Sequence, residues 1–130
     1  SSYQDESHIW VTLDGTTNSA GNLCLHLLGN LYHFIGKGLG DHKYHRNRDA
    51  EFTSNPISTE KLLASIDDCR SMIEVSFNGL EDEMLVKPFS LPWRKGEYFD
   101  THFMLTQLVL HFSYHLGQIN YHRRYFSKEQ

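Results

Sequence analysis

The sequence predicts an all-α protein built as a helical bundle, and three observations carry that expectation. Apolar residues recur at spacings of three and four through three long stretches. Each stretch opens next to a side chain able to cap a helix and closes near glycine or in polar sequence. Pro56, Pro88 and Pro92 all fall between the stretches, where a missing N–H and a fixed φ break no helix.

The first 15 residues hold Ile9, Trp10, Val11 and Leu13 as apolar anchors and end in the turn pair Asp14-Gly15, so they read as a short packing arm. Thr16, Thr17 or Asn18 can cap the run that follows. In that run Leu23, Leu27, Leu28, Leu31, Phe34 and Ile35 mark a helix over about residues 19–36. Gly36, Gly38 and Gly40 are expected to end it through the left-handed conformation that glycine enters without strain. Residues 41–56 lack periodicity and read as a loop long enough to carry function.

A second helix is expected over 59–78, with Leu62, Ile66, Cys69, Ile73, Phe77 and Leu80 on one stripe and Asn78-Gly79 as its stop. Its other face, with Glu60, Lys61, Asp67, Asp68, Arg70 and Glu74, is ordinary solvent-facing sequence. Residues 85–99 contain Pro88 and Pro92, which exclude a helix, but Leu85-Val86 and Tyr98-Phe99 are suited to pair as a small β ribbon. Asp100 or Thr101 then caps the last helix, expected to run to about Tyr125. Three long antiparallel helices leave one side of a four-helix bundle open, to be covered by a helix preceding Ser1 or by a partner chain.

A chain of 130 residues, 39% hydrophobic and 22% charged, has room for one domain, taken as residues 1–130. A formal charge of −4 argues against direct nucleic-acid binding, which calls for a basic face. No apolar run approaches the roughly 20 residues that span a bilayer, and these residues show no charged-then-apolar leader pattern with a small-residue cleavage site. A cytoplasmic location is therefore expected, without membrane contact. Cys24 and Cys69 sit among apolar residues at helical spacing, outside any C-x-x-C, and read as buried free thiols.

Nine histidines are the outstanding feature of the composition. On the last helix Met104, Leu108, His111, His115, Gln118 and His122 follow steps of four and three along one stripe. His111 and His115, at i and i+4, lie one turn apart on that stripe, as two donors to one cation must. On the first long helix Asn22, His26, Gly29, Asn30 and His33 form a polar strip beside the leucines. His26 is enclosed by Cys24-Leu25 and Leu27-Leu28, where an unpaired imidazole would cost about 1–3 kcal/mol. One histidine from one helix and an i,i+4 pair from another can hold a single ion, with His33 as the alternative to His26.

Three neutral imidazoles suit zinc, nickel, copper, iron or manganese and leave a position open for chemistry; ligand type does not choose among them, and the expected cofactor is a divalent transition metal, zinc or nickel ahead of manganese or iron. His122, about 10 Å of helix rise beyond His115, is expected at the mouth or on the surface. Gln118, one turn past His115, is placed to orient a ligand or to pack beside Gly117. Arg46 and Arg48 either bind an anionic substrate group or pair with Asp49 in a solvated loop. Tyr114, Tyr32 and Glu51 are weak candidates for acid–base work, and no catalytic residue is identified.

Asn18-Ser19-Ala20-Gly21-Asn22-Leu23-Cys24-Leu25-His26-Leu27-Leu28-Gly29-Asn30 resembles the second-helix signature of the DinB/YfiT-like superfamily of metal-dependent proteins. His111-x-x-x-His115-Leu116-Gly117-Gln118-Ile119 resembles its last-helix signature, and Arg46-Asn47-Arg48-Asp49-Ala50-Glu51-Phe52 the loop of one uncharacterised branch. The likeness spans about residues 10–124, with its segments in the superfamily's order. It implies a four-helix bundle of up-down-down-up connection, a homodimer, and a divalent metal on His26, His111 and His115. It also implies a first helix before the arm, which these 130 residues do not contain.

Some members of that superfamily are S-transferases or isomerases that use low-molecular-weight thiols such as bacillithiol or mycothiol. The expectation is a metal-dependent enzyme acting on a small molecule, either a hydrolase or a thiol S-transferase. The alternatives are a non-catalytic metal-binding, stress-response module of the DNA-damage-inducible kind, or a helical interaction protein without metal.

Overall fold

Side-chain caps decide where the helices start. In the computed structural model, which describes residues 3–127, these are α1 (Ala20–Leu31), α2 (Arg48–Thr53), α3 (Thr59–Asn78) and α4 (Thr101–Ser127). Ser19 Oγ accepts the Asn22 N–H at 3.1 Å, so the cap of α1 is Ser19 rather than Thr16, Thr17 or Asn18. Ser58 Oγ caps α3 through the Lys61 N–H at 3.3 Å, and Asp100 Oδ1 caps α4 through the Phe103 N–H at 2.7 Å. The protein is predominantly helical, with no strand among the described residues.

The π turn Tyr32–Lys37 prolongs α1 and buries Phe34 and Ile35. The glycines that follow do not act as left-handed caps: Gly38 keeps a right-handed φ of −77°. Close approach requires glycine here instead, since a Cβ on Gly38 would lie 2.5 Å from Phe89 Cζ and one on Gly40 2.7 Å from Ser76 Oγ. The loop expected over 41–56 contains a helix, α2, because Asn47 Oδ1 accepts the Ala50 N–H at 3.1 Å and Asp49 and Glu51 favour the N-terminal turn electrostatically. Asn22 of α1 donates to the Glu51 carbonyl at 3.2 Å and helps seat α2 on α1.

No β ribbon forms between Leu85-Val86 and Tyr98-Phe99. Pairing shrinks to an isolated antiparallel bridge between Pro88 and Asp100, flanked by the Phe89 N–H donating to the Phe99 carbonyl at 2.8 Å. Pro88 and Pro92 donate no backbone hydrogen bond, and a 3₁₀ turn over Arg94–Gly96 takes the remaining residues out of the extended conformation.

Phe34, Ile35, Cys69, Met72, Phe89, Met104 and Leu108 form the core, with Met104 wholly buried. The inner edge of α3 runs through Leu62, Cys69, Met72 and Ser76, whereas Ile66 and Phe77 are exposed. The stripe expected on α3 is thus rotated, because α1 packs against both α3 and α4 while an apolar groove of about 580 Å³ opens along these helices. Leu27, Leu28 and Leu31 of α1, Leu63 and Ile66 of α3, and Phe112, Leu116 and Ile119 of α4 line it. Cys24 is half-buried and Cys69 buried, both are free, and burial raises each thiol to about 11.

The arm forms a 3₁₀ turn over Glu6–Trp10, buries Ile9 and lays Trp10 so tightly on Gly21 that a Cβ there would come within 2.5 Å of the indole. His122 is not at a mouth or on the surface. It is buried, accepts from the Tyr3 hydroxyl at 2.8 Å and donates to the Val11 carbonyl at 2.7 Å, which fastens the arm to α4. Among the described residues, no helix is long and apolar enough to cross a membrane.

Candidate metal centre

Along α4 the buried Met104 and Leu108 give way to the half-buried His111 and His115, and α1 presents His26 against them. Potential ligand atoms of these three side chains all lie within 4.8 Å of one another, and among the described residues no other His, Cys, Asp or Glu joins the group. His33 stands outside it, its ring packed edge-on to Phe34. Ring centroids are separated by 5.0 Å for His26–His111, 5.0 Å for His26–His115 and 4.6 Å for His111–His115.

Hydrogen bonds set two of the tautomers. His26, 4% exposed, lies 2.8 Å through Nδ1 from Glu51 Oε2; an ionised carboxylate only accepts, so the Nδ1 proton points to Glu51 and the Nε2 lone pair points inward. His115 Nδ1 donates to Gln118 Oε1 at 2.6 Å with the same consequence. His26 Nε2 and His111 Nε2 face each other at 3.1 Å. Two lone pairs repel at that distance, so either a proton or a cation must lie between them. His111 Nδ1 is buried without a partner. Burial, then the neighbouring His115 and His26, push His111 down to about 4, and burial also lowers His115, so both are neutral near pH 7, the form a metal needs.

Glu51 carries the second layer. Arg46 donates to its carboxylate through Nε at 2.6 Å and through Nη2 at 2.9 Å, a bidentate clamp on a side chain that is 6% exposed. Burial alone would raise the Glu51 carboxyl, but the hydrogen bonds from His26 and Arg46 and the Arg46 charge outweigh it and hold it below the ordinary carboxylate range. Gly29 makes room for this carboxylate, since a Cβ there would lie 2.8 Å from Glu51 Cδ. The resulting chain of Arg46, Glu51 and His26 has the form of a carboxylate–histidine–metal relay, in which the carboxylate fixes the ring and strengthens the imidazole as a donor.

The three histidines open onto a cavity of about 720 Å³ between α1, α2, the 94–96 turn and α4. Arg46 and Arg48 line it, Arg46 held by Glu51 and Arg48 lying 5.2 Å above the Phe52 ring; neither has an ion pair with Asp49. Gln118 is exposed and serves His115 from outside the cavity wall. Among the acid–base candidates, Tyr114 lines the cavity. Tyr32 packs instead against His42 and Tyr44, and the Glu51 carboxylate is occupied by His26 and Arg46. The Glu51–His26 pairing, and the places of Trp93, Arg94 and Lys95 at the cavity, had no signal in helical spacing because each comes from a segment without a long helical repeat.

The profile of a family described as "Protein of unknown function (DUF1572)" matches residues 2–130, and the chain belongs to that family. No curated protein and no solved structure matches it.

Proposed function

We propose that this DUF1572 protein is a DinB-like, divalent-metal-dependent enzyme in which His26, His111 and His115 hold the ion and the adjoining cavity admits a small-molecule substrate. The observation that carries the reading is the convergence of three imidazoles, two with their Nδ1 protons already committed to Glu51 and Gln118, at the wall of an open cavity. Structural sites close their shell with four protein donors, whereas three donors beside open space is the catalytic arrangement. Imidazole donors suit several divalent transition metals, and in this reading the ion is zinc or nickel, with manganese or iron after them. The bound ion would supply Lewis acidity, lowering the pKa of a water or thiol or polarising a carbonyl.

The chain's own residues prepare that chemistry. Glu51 and Gln118 orient two of the rings, and Arg46 keeps Glu51 ionised so that its carboxylate continues to accept the His26 proton. Phe34, Phe52 and Trp93 give the cavity apolar walls that displace water from a substrate, and the Tyr114 hydroxyl at its edge is the available proton donor. The reaction is hydrolysis or transfer of a low-molecular-weight thiol. The same reading carries a cytoplasmic setting and a homodimer, the latter checked by light scattering.

The test incubates zinc- or nickel-loaded protein with bacillithiol or mycothiol and monochlorobimane, and in parallel with activated esters. Turnover by the wild type that disappears in His115→Ala supports the enzyme and tells transferase from hydrolase. A metal-loaded protein inert in both arms that unfolds when the metal is chelated would instead identify a structural metal module.

A further inference from the structure

The cavity's charge differs in sign from the protein's. The chain carries a formal charge of −4, yet Arg46, Arg48, Arg94 and Lys95 line the cavity and, among the described residues, no aspartate or glutamate does. Arg46 is neutralised by Glu51, but Arg48, Arg94 and Lys95 have no carboxylate partner among the described residues. Arg48 lies over the Phe52 ring at 5.2 Å and Arg94 over the Trp93 ring at 5.8 Å. Stacking of this kind holds a guanidinium while leaving its N–H edge free to donate.

Two further observations point to a ligand. Lys95 is the one non-glycine among the described residues with positive φ, at φ 55° and ψ 25°, followed by Gly96 at φ 76°. Strained backbone of this sort concentrates where a side chain must be presented at a site. Asn30, 4% exposed as a residue, lines the same cavity, and its side-chain amide atoms are left accessible there to donate to or accept from a ligand.

We infer that the substrate is a small anion, with a carboxylate or phosphate group on an apolar or aromatic body, held by Arg48 of α2 and by Arg94 and Lys95 of the turn before α4. The inference rests on the metal-enzyme reading for the position of the reacting end, but the three cations act whether or not an ion is bound. Phe52 and Trp93 contact the apolar body, Asn30 supplies a neutral hydrogen bond, and the cationic side chains take the charge. An anionic group gains Coulomb attraction from these three cations that a neutral group does not, which favours an anion over a neutral analogue of the same shape.

Calorimetric titration of zinc-loaded and metal-free protein with phenylacetate, phenylphosphonate and the neutral phenylacetamide tests it. Both anions are expected to bind about tenfold or more tightly than the amide, with the better anion separating carboxylate from phosphate substrates. Arg48→Ala and Lys95→Ala should each weaken the anions about tenfold, leave the amide unchanged, and leave zinc affinity unchanged; Arg48→Lys should restore most of the loss. All three cationic side chains are exposed, so these variants keep their packing. Equal binding of anion and amide, or anion binding unaffected in the Arg48→Ala/Lys95→Ala double variant, overturns the inference. Failure of the wild type to bind zinc would count against the metal reading alone, because the metal-free titration still reads the cationic clamp.

Discussion

One residue along α4 separates two surfaces of opposite character. His111 and His115 face the cavity, while Phe112 and Leu116, each about 100° further round the helix, line the apolar groove. On α1 the same division sets His26 and Asn30 against Leu27, Leu28 and Leu31. The groove is what a helix leaves when apolar surface lacks a packed neighbour: Phe112 stays 37% and Leu116 49% exposed. The cavity side contains a largely buried Arg46–Glu51–His26 chain. Well-packed apolar residues in place of such a buried ionic group are often neutral or stabilising. The groove is thus apolar surface left without a neighbour, whereas the cavity wall carries a polar and ionic lining that apolar packing does not call for.

Substitutions on the two sides should separate accordingly. The largest effect is expected from His115→Ala, which removes one of three donors and should weaken zinc binding about a thousandfold, beyond the 10–100-fold typical of a partner outside the first layer of ligands; competition against a fluorescent chelator reads it. Glu51→Gln keeps the shape but turns the acceptor for His26 into an amide and leaves Arg46 without its counter-charge. It should lower zinc affinity about 10–100-fold and cost about 3 kcal/mol in chemical denaturation.

Acid should act on the cavity side through His111. Its folded-state pKa is depressed to about 4 from the ordinary 6.5, so the unfolded chain takes up a proton that the folded chain refuses. Metal-free protein keeps this contribution to stability above about pH 6.5 and loses it progressively as pH falls towards 4, seen as a falling Tm. His111→Gln should flatten that slope. The smallest effect is expected across the helix, where Leu116→Gln on the groove should leave zinc affinity within about twofold and stability within about 0.5 kcal/mol. A loss of zinc binding from that change would break the distinction between the two surfaces.

Much of this arrangement was legible in the sequence where a helical repeat carried it. The bounds of α3, the stripe from Met104 through Leu108 to His111 and His115, and the convergence of His26 on that pair all follow from residues spaced three and four apart. What escaped depends on contacts between segments. Glu51 stands 25 residues from His26 and reaches it because a six-residue helix, too short to show a period, docks on α1. His122 is buried by an arm more than 100 residues away. Gly38 and Gly40 looked like helix stops, but their lack of a side chain serves close packing against Phe89 and Ser76.

The central claim is that one divalent ion sits between His26, His111 and His115. X-ray absorption on zinc-loaded protein tests it most directly, supported by the same measurement on His26→Ala. The account predicts one zinc per chain with three imidazole nitrogens at about 2.0–2.1 Å, and loss of one imidazole or of the metal in the variant. A wild-type spectrum without three imidazole donors, or one unchanged by His26→Ala, would contradict it.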